Sequence, residues 1–197
     1  MSNQERTLRE RILDAAEDLL RAQGLARTTT REIAHRAGCS EGSLYVHFDS
    51  KEALFLAVLT ERMPGLIPLV KSLHERVGTG DLRATLEEIA RTAIAFYSEV
   101  FPMSAAVLAT PALRDGLRMR GMGPHRANEA IAAYLRRELE LGRIRAGASP
   151  EAAAALLLGA CQQRIFLRRF HGEQADDTAD ATFVQELVDT LMGGLVE

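Results

Sequence analysis

Residues 29–54 read TTREIAHRAGCSEGSLYVHFDSKEAL, with hydroxyls at Thr29, Thr30, Ser40, Ser43 and Ser50, and with Tyr45, His47 and Lys51 at short intervals. These groups hydrogen-bond and pair with anions; they do not form a reaction set. Nowhere in the chain do a nucleophile, a base and an orienting group share a recognisable spacing. A metal-ligand pattern and a glycine-rich phosphate loop are also missing. An α-helical enzyme using a histidine or Cys161 is the alternative this weighs against, and no cofactor is expected. Lys51 is one of only two lysines among 24 basic residues. It opens a helix, where the dipole disfavours a cation, so its placement favours an anionic partner. Two short helical patterns joined across Gly38-Cys39-Ser40 have the length and turn of a helix-turn-helix, whose second helix enters a DNA major groove.

The elements that must hold these residues are helical. Apolar residues recur at three- and four-residue spacing in almost every segment and strand alternation is missing, so the fold class is all-α. Thr7 with Glu10, and Thr29 with Glu32, form capping boxes that open the first and second helices; Gly24 and Gly38 close them. Ser40 caps a third helix through Phe48, and Ser50 a fourth from Lys51 to about Met63, broken by Pro64-Gly65. Ile33, Ala34, Ala37, Leu44 and Phe48 must pack on Ile12, Ala16 and Leu19, because helices this short are unstable alone. Further helices are expected over 66–77, 82–101 (capped by Asp81), 124–141, 150–170 and 179–192. A broken pair is expected between Met103 and Arg120, and an acidic loop over 172–179. The expected division is a helix-turn-helix domain at 1–50 with a linking helix at 51–63, then a larger helical bundle at 64–197.

Over residues 11–59 the chain resembles the N-terminal DNA-binding domain of the tetracycline-repressor (TetR) family of bacterial transcription regulators. The segments ILDAAEDLLRAQGL, TTTREIAHRAGCSEGSLYVHF and SKEALF carry the likeness, in order and without gaps. The resemblance implies that Thr30, Tyr45, His47 and Lys51 contact DNA phosphates, with Arg31 and Arg36 as further contributors. It assigns base reading to Ser40, Glu41, Gly42 and Ser43, the first turn of the recognition helix. Glu41 would accept from a cytosine amino group, and Gly42 would allow close backbone approach.

It also implies a homodimeric regulator, most often a repressor, released from a palindromic double-stranded operator by a small molecule held in the bundle. Pocket candidates are Phe96, Tyr97, Val100, Phe101, Met103, Leu117, Met119, Met122, Tyr134 and Gln162. They suit an apolar or amphipathic effector, with Arg118, Arg120 or His125 for a polar end. A bundle that binds a partner protein is the other reading, and a filled core would favour it. The last two helices carry more apolar surface than one neighbour can cover. Leu156, Ala160, Val184, Leu187 and Leu191 are therefore expected to pair with a second copy, so that two recognition helices reach successive major grooves.

Composition sets the bounds. The chain has 197 residues, 47% of them hydrophobic and 26% charged, with mean hydropathy −0.07. No membrane segment is expected, and the first 21 residues are too charged for a signal peptide, which places the protein in the cytoplasm. Cys39 and Cys161 stand far apart with no partner spacing, an arrangement suited to two reduced thiols. The balance of 24 basic against 27 acidic residues is unusual for a nucleic-acid binder, and residues 1–63 hold nine against ten. DNA affinity must then come from a few directed contacts, giving weak non-specific binding and a modest salt dependence.

Overall fold

Local capping explains where the N-terminal helices begin. The computed structural model describes residues 6–62, 66–123 and 125–196; the helix end at Met63, the break at Pro64-Gly65 and the start at Pro124 lie outside them. In α1 (Leu8–Gln23), Thr7 Oγ1 accepts from the Glu10 amide while Glu10 Oε2 accepts from the Thr7 amide at 2.8 Å. The same reciprocal box opens α2 (Thr30–Ala37) between Thr29 and Glu32. Gly38 ends α2 at φ +68°, a left-handed conformation that lets the Gly38 and Cys39 amides bond back to His35 and Ala34. Ser40 caps α3 (Glu41–His47) through the Ser43 amide, and Ser50 caps α4 (Lys51–Glu61) through the Ala53 amide.

These helices enclose a core of Ile12, Leu13, Ala16, Leu20, Ile33, Ala34, Ala37, Leu44, Phe48, Leu54, Phe55 and Val58. Each large side chain fully buried here contributes about 1.5–3 kcal/mol, which offsets the poor intrinsic stability of helices seven and eight residues long.

The later helices depart from expectation in three places. The segment from Leu66 is not one helix: α5 (Leu66–Ser72) gives way to a 3-10 turn at Leu73–Arg76. There the Ser72 hydroxyl donates to the Leu69 carbonyl and competes with the α-helical pattern. Second, α6 (Leu82–Ala109) runs straight through Pro102 instead of ending at Phe101. Pro102 has no N–H to offer the carbonyl four residues back, at Ser98, and Arg169 Nη2 donates to that oxygen at 3.0 Å. The break expected between Met103 and Arg120 falls at Thr110, where Pro111 opens α7 (Pro111–Met119).

The third difference is the acidic loop, which is shorter than expected. After α8 (His125–Glu140) and α9 (Pro150–His171), Asp176 caps α10 (Asp177–Leu195) through the Ala179 amide. Asp177 and Asp180 sit in its first turn, where the dipole favours acids.

The chain forms two compact units: 1–64 with 99–122, and 65–98 with 123–197. In the first, Met103 and Leu113 join the N-terminal core and α7 packs on α4. In the second, α8 packs on α9 and α9 on α10, around Leu86, Ile89, Ile131, Tyr134, Leu157, Cys161, Ile165, Val184 and Val188. Glu138, fully buried there, accepts from the Gly78 amide at 2.8 Å and lies 3.1 Å from Arg143, pinning the turn that follows the 3-10 segment. Among the described residues there is no strand, and no helix is long and apolar enough to cross a membrane.

Candidate nucleic-acid interface

Leu44 and Phe48 fix how α3 presents itself. Both are buried, so the opposite side of the helix faces solvent. Tyr45 and Val46 are 45% and 82% exposed, and Gly42 and His47 are exposed beside them. Ser40 and Ser43 are occupied with each other, their hydroxyl oxygens 2.8 Å apart. Lys51 Nζ stands 5.3 Å above the Phe55 ring, so an aromatic face steadies the ammonium at the start of α4.

Two of the expected contact residues have partners within the protein. Thr30 is only 8% exposed, and its hydroxyl donates to Glu41 Oε1 at 2.5 Å, while the Tyr45 hydroxyl lies 3.5 Å from Thr30 Oγ1. The Thr30 proton is thus directed at Glu41 in this structure. One oxygen of the exposed Glu41 carboxylate is thereby engaged by Thr30. Glu41, Thr30 and Tyr45 form a bracket across α2 and α3 that positions the tyrosine.

The charge balance of the first unit is explained by pairing. Asp14 lies 2.9 Å from both Arg6 and Arg62, Asp18 pairs with Arg36, Glu17 and Glu99 with Arg21, and Glu61 takes Arg9 through two bonds at 2.7 and 2.8 Å. Glu10 and Glu32 are held below the ordinary carboxylate range chiefly by their capping bonds to Thr7 and Thr29, and Glu61 by its bonds to Arg9. Among residues 6–62, Arg11, Arg27, Arg31 and Lys51 have no carboxylate partner; Asp14, Glu17, Asp18 and Glu61 are ion-paired, and Glu10, Glu32 and Glu41 are hydrogen-bonded to Thr7, Thr29 and Thr30. Four of the nine cations in this segment therefore stand without an acidic partner, while seven of its nine acids are engaged within the protein.

The pocket candidates belong to both units. Val100, Phe101, Met103, Leu117, Met119 and Met122 belong to the first unit, and Phe96, Tyr97, Tyr134 and Gln162 to the second. Met103 and Tyr134 are buried in their respective cores. Met119 is 82% exposed, and Gln162 is exposed on the outer side of α9, so neither lines a cavity. Phe96 and Tyr97 lie with ring centroids 5.6 Å apart, and burial pushes the Tyr97 hydroxyl up to about 12. An open groove of about 390 Å³ is lined by His74, Val77, Arg137, Glu140 and Leu141, none of them a pocket candidate.

The residues expected at the self-association face differ in exposure. Val184 and Leu191 are buried inside their own subunit and Leu187 is half-buried, because the apolar stripe of α10 is used to cover α9. Leu156 is exposed, as expected, and Ala160 is half-buried. With Leu156, the outer side of α9 exposes Ala152, Ala155, Gly159, Phe166, Leu167 and Phe170; Phe166 and Phe170 stack at 6.1 Å. The aromatic end of this row was missed in the sequence, although its three- and four-residue spacing continues the Ala152–Leu156 pattern. Val46 was missed as well; its signal was its place on the helix opposite Leu44 and Phe48.

Comparison with known proteins bears on this geometry. A family profile described as "Bacterial regulatory proteins, tetR family" matches residues 12–58, and one described as "AefR-like transcriptional repressor, C-terminal domain" matches residues 84–193. The nucleoid occlusion factor SlmA of Marinobacter nauticus is 30% identical over 158 residues, covering 79% of this chain and 78% of that protein. A protein of Mesorhizobium loti assigned to the tetR family shares the fold, with TM-score 0.78 over 96% of this chain and 97% of that one at 21% identity. SmeT, the repressor of the Stenotrophomonas maltophilia multidrug efflux pump SmeDEF, is 27% identical with TM-score 0.67, covering 98% of this chain and 92% of SmeT. Its triclosan complex gives 0.68 over 98% and 93%. With family profiles matching both its helix-turn-helix and most of its C-terminal region, this chain belongs to the tetR family of bacterial DNA-binding transcriptional regulators.

Proposed function

We propose that this protein is a cytoplasmic transcriptional repressor that binds a palindromic operator as a homodimer and is released by a small apolar or amphipathic effector. Residues 1–50 with the linking helix 51–63 read DNA, and 64–197 respond to the effector and dimerise, with 99–122 packed into the first unit. The observation that carries this reading is the solvent-facing side of α3. Tyr45 stands there bracketed by Thr30 and Glu41, in a segment where Arg11, Arg27, Arg31 and Lys51 have no carboxylate partner. Tyr45, His47, Lys51 and Arg31 contact phosphates, and Ser40, Gly42 and Ser43 approach the base edges. The second copy docks on the exposed row of α9 through Leu156, Phe166 and Phe170. SmeT, a repressor solved with triclosan, supports release by a small molecule.

Footprinting on DNA upstream of the protein's own gene should show a two-fold symmetric protected site, and a compound screen should find molecules that abolish it. Failure to protect any site defeats the reading.

One observation favours a second reading, in which the second unit answers to a partner protein. Met103 and Tyr134, expected to line a cavity, are packed in cores, and the groove beside α8 is open. Release of DNA by no small molecule, but by a cell-derived protein, would favour it.

A further inference from the structure

The recognition helix has an apolar centre. An α-helix turns about 100° per residue, so the point midway between Leu44 and Phe48, the two side chains of this segment that enter the core, lies about 180° from Val46. Gly42, one turn earlier, falls within about 40° of Val46 on the same outward ridge. The polar side chains of α3 lie to either side. Glu41 and Tyr45 share one flank, tied to Thr30, and Ser43 and His47 share the other. Val46 is 82% exposed, and a Cβ added at Gly42 would meet nothing nearer than Ser40 Oγ at 3.8 Å. The most protruding line of the helix therefore carries one branched aliphatic side chain, preceded by a position with no side chain at all.

We propose that Val46 is a specificity-determining residue that packs on the 5-methyl group of a thymine in each operator half-site, with Gly42 letting the helix backbone come close enough for the contact. The inference rests on the DNA-binding reading above and deepens it. Among the base edges of the major groove, the thymine methyl is the apolar feature, and an aliphatic side chain recognises it by contact. A valine left in water on this ridge gains by covering that methyl, whereas set against a polar base edge it would strip water from groups it cannot hydrogen-bond.

The test begins with selection of operators from a random duplex pool by the full-length protein. Each thymine of the selected site is then replaced by deoxyuridine, which removes only the methyl. Losing one buried methyl should weaken binding about fourfold per half-site at one symmetric thymine pair. Val46→Ala should bind the thymine operator as weakly as the parent protein binds the deoxyuridine one, and deoxyuridine should then make no further difference. Gly42→Ala, free of any clash within the protein, should melt no lower than the parent yet bind every operator less well. Deoxyuridine neutral at every position, or a deoxyuridine penalty unchanged in Val46→Ala, overturns the proposal. A selection that yields no sequence defeats the DNA-binding reading itself, and this inference with it.

Discussion

The Thr30 hydroxyl is directed at the Glu41 carboxylate, so the proposed role of Glu41 is to position its neighbours for DNA. Glu41→Ala should therefore weaken binding several-fold to all operator variants alike, measured by titration against a panel of single-base changes. A loss confined to one base pair would restore Glu41 as a reader. The two cysteines separate in the same way. Cys161 is fully buried, and burial pushes its thiol up to about 12, whereas Cys39 is half-exposed in the turn before α3. At pH 8 a thiol reagent should label one cysteine in the native protein and two in denaturant. Labelling of both native thiols at equal rates would contradict the packing around α9.

At the scale of elements, the two capping boxes make helix stability depend on acid. Glu10 and Glu32 have folded-state values below their ordinary ones, so their contribution is present above about pH 4.5 and is lost as pH falls through the lowered values. Thermal melts from pH 6 to pH 3 should show a falling midpoint, and Glu32→Gln should flatten that fall. The continuity of α6 makes a coupling prediction. Arg169→Ala removes the donor to the carbonyl that Pro102 leaves free and should cost about 1 kcal/mol. In a Pro102→Ala background, where the backbone N–H returns, the same change should cost almost nothing. Equal costs in both backgrounds would show that Arg169 acts through something other than that carbonyl. The capping signals were legible in the sequence because each lies within four residues. The passage of α6 through Pro102 was not, because its donor comes from 71 residues away.

For the whole molecule, the charge arithmetic becomes a salt slope. Four cations per chain among residues 6–62 (Arg11, Arg27, Arg31 and Lys51) lack a carboxylate partner, so a dimer neutralises about eight phosphates with them. The slope of log K against log salt should then be no steeper than roughly −7. The row on α9 predicts that Phe166→Ser combined with Phe170→Ser gives a folded monomer by sedimentation, with operator affinity reduced by orders of magnitude. A dimer that survives both changes would place the interface elsewhere.

Helix class, the four N-terminal caps and the central part of the first core, Ile12, Ala16, Ile33, Ala34, Ala37, Leu44 and Phe48, were determined by the sequence alone. Capping boxes and apolar spacing are local patterns, and a chain can hardly satisfy them except as these helices. The tertiary structure decided which of several equivalent groups met which partner: Glu41 with Thr30, the Ser98 carbonyl with Arg169, the α10 stripe against its own α9, and Val46 left facing water. Local spacing is blind to these choices because each is made by the crossing of helices distant in sequence, and the side chain left uncovered is known only when all the others have been packed.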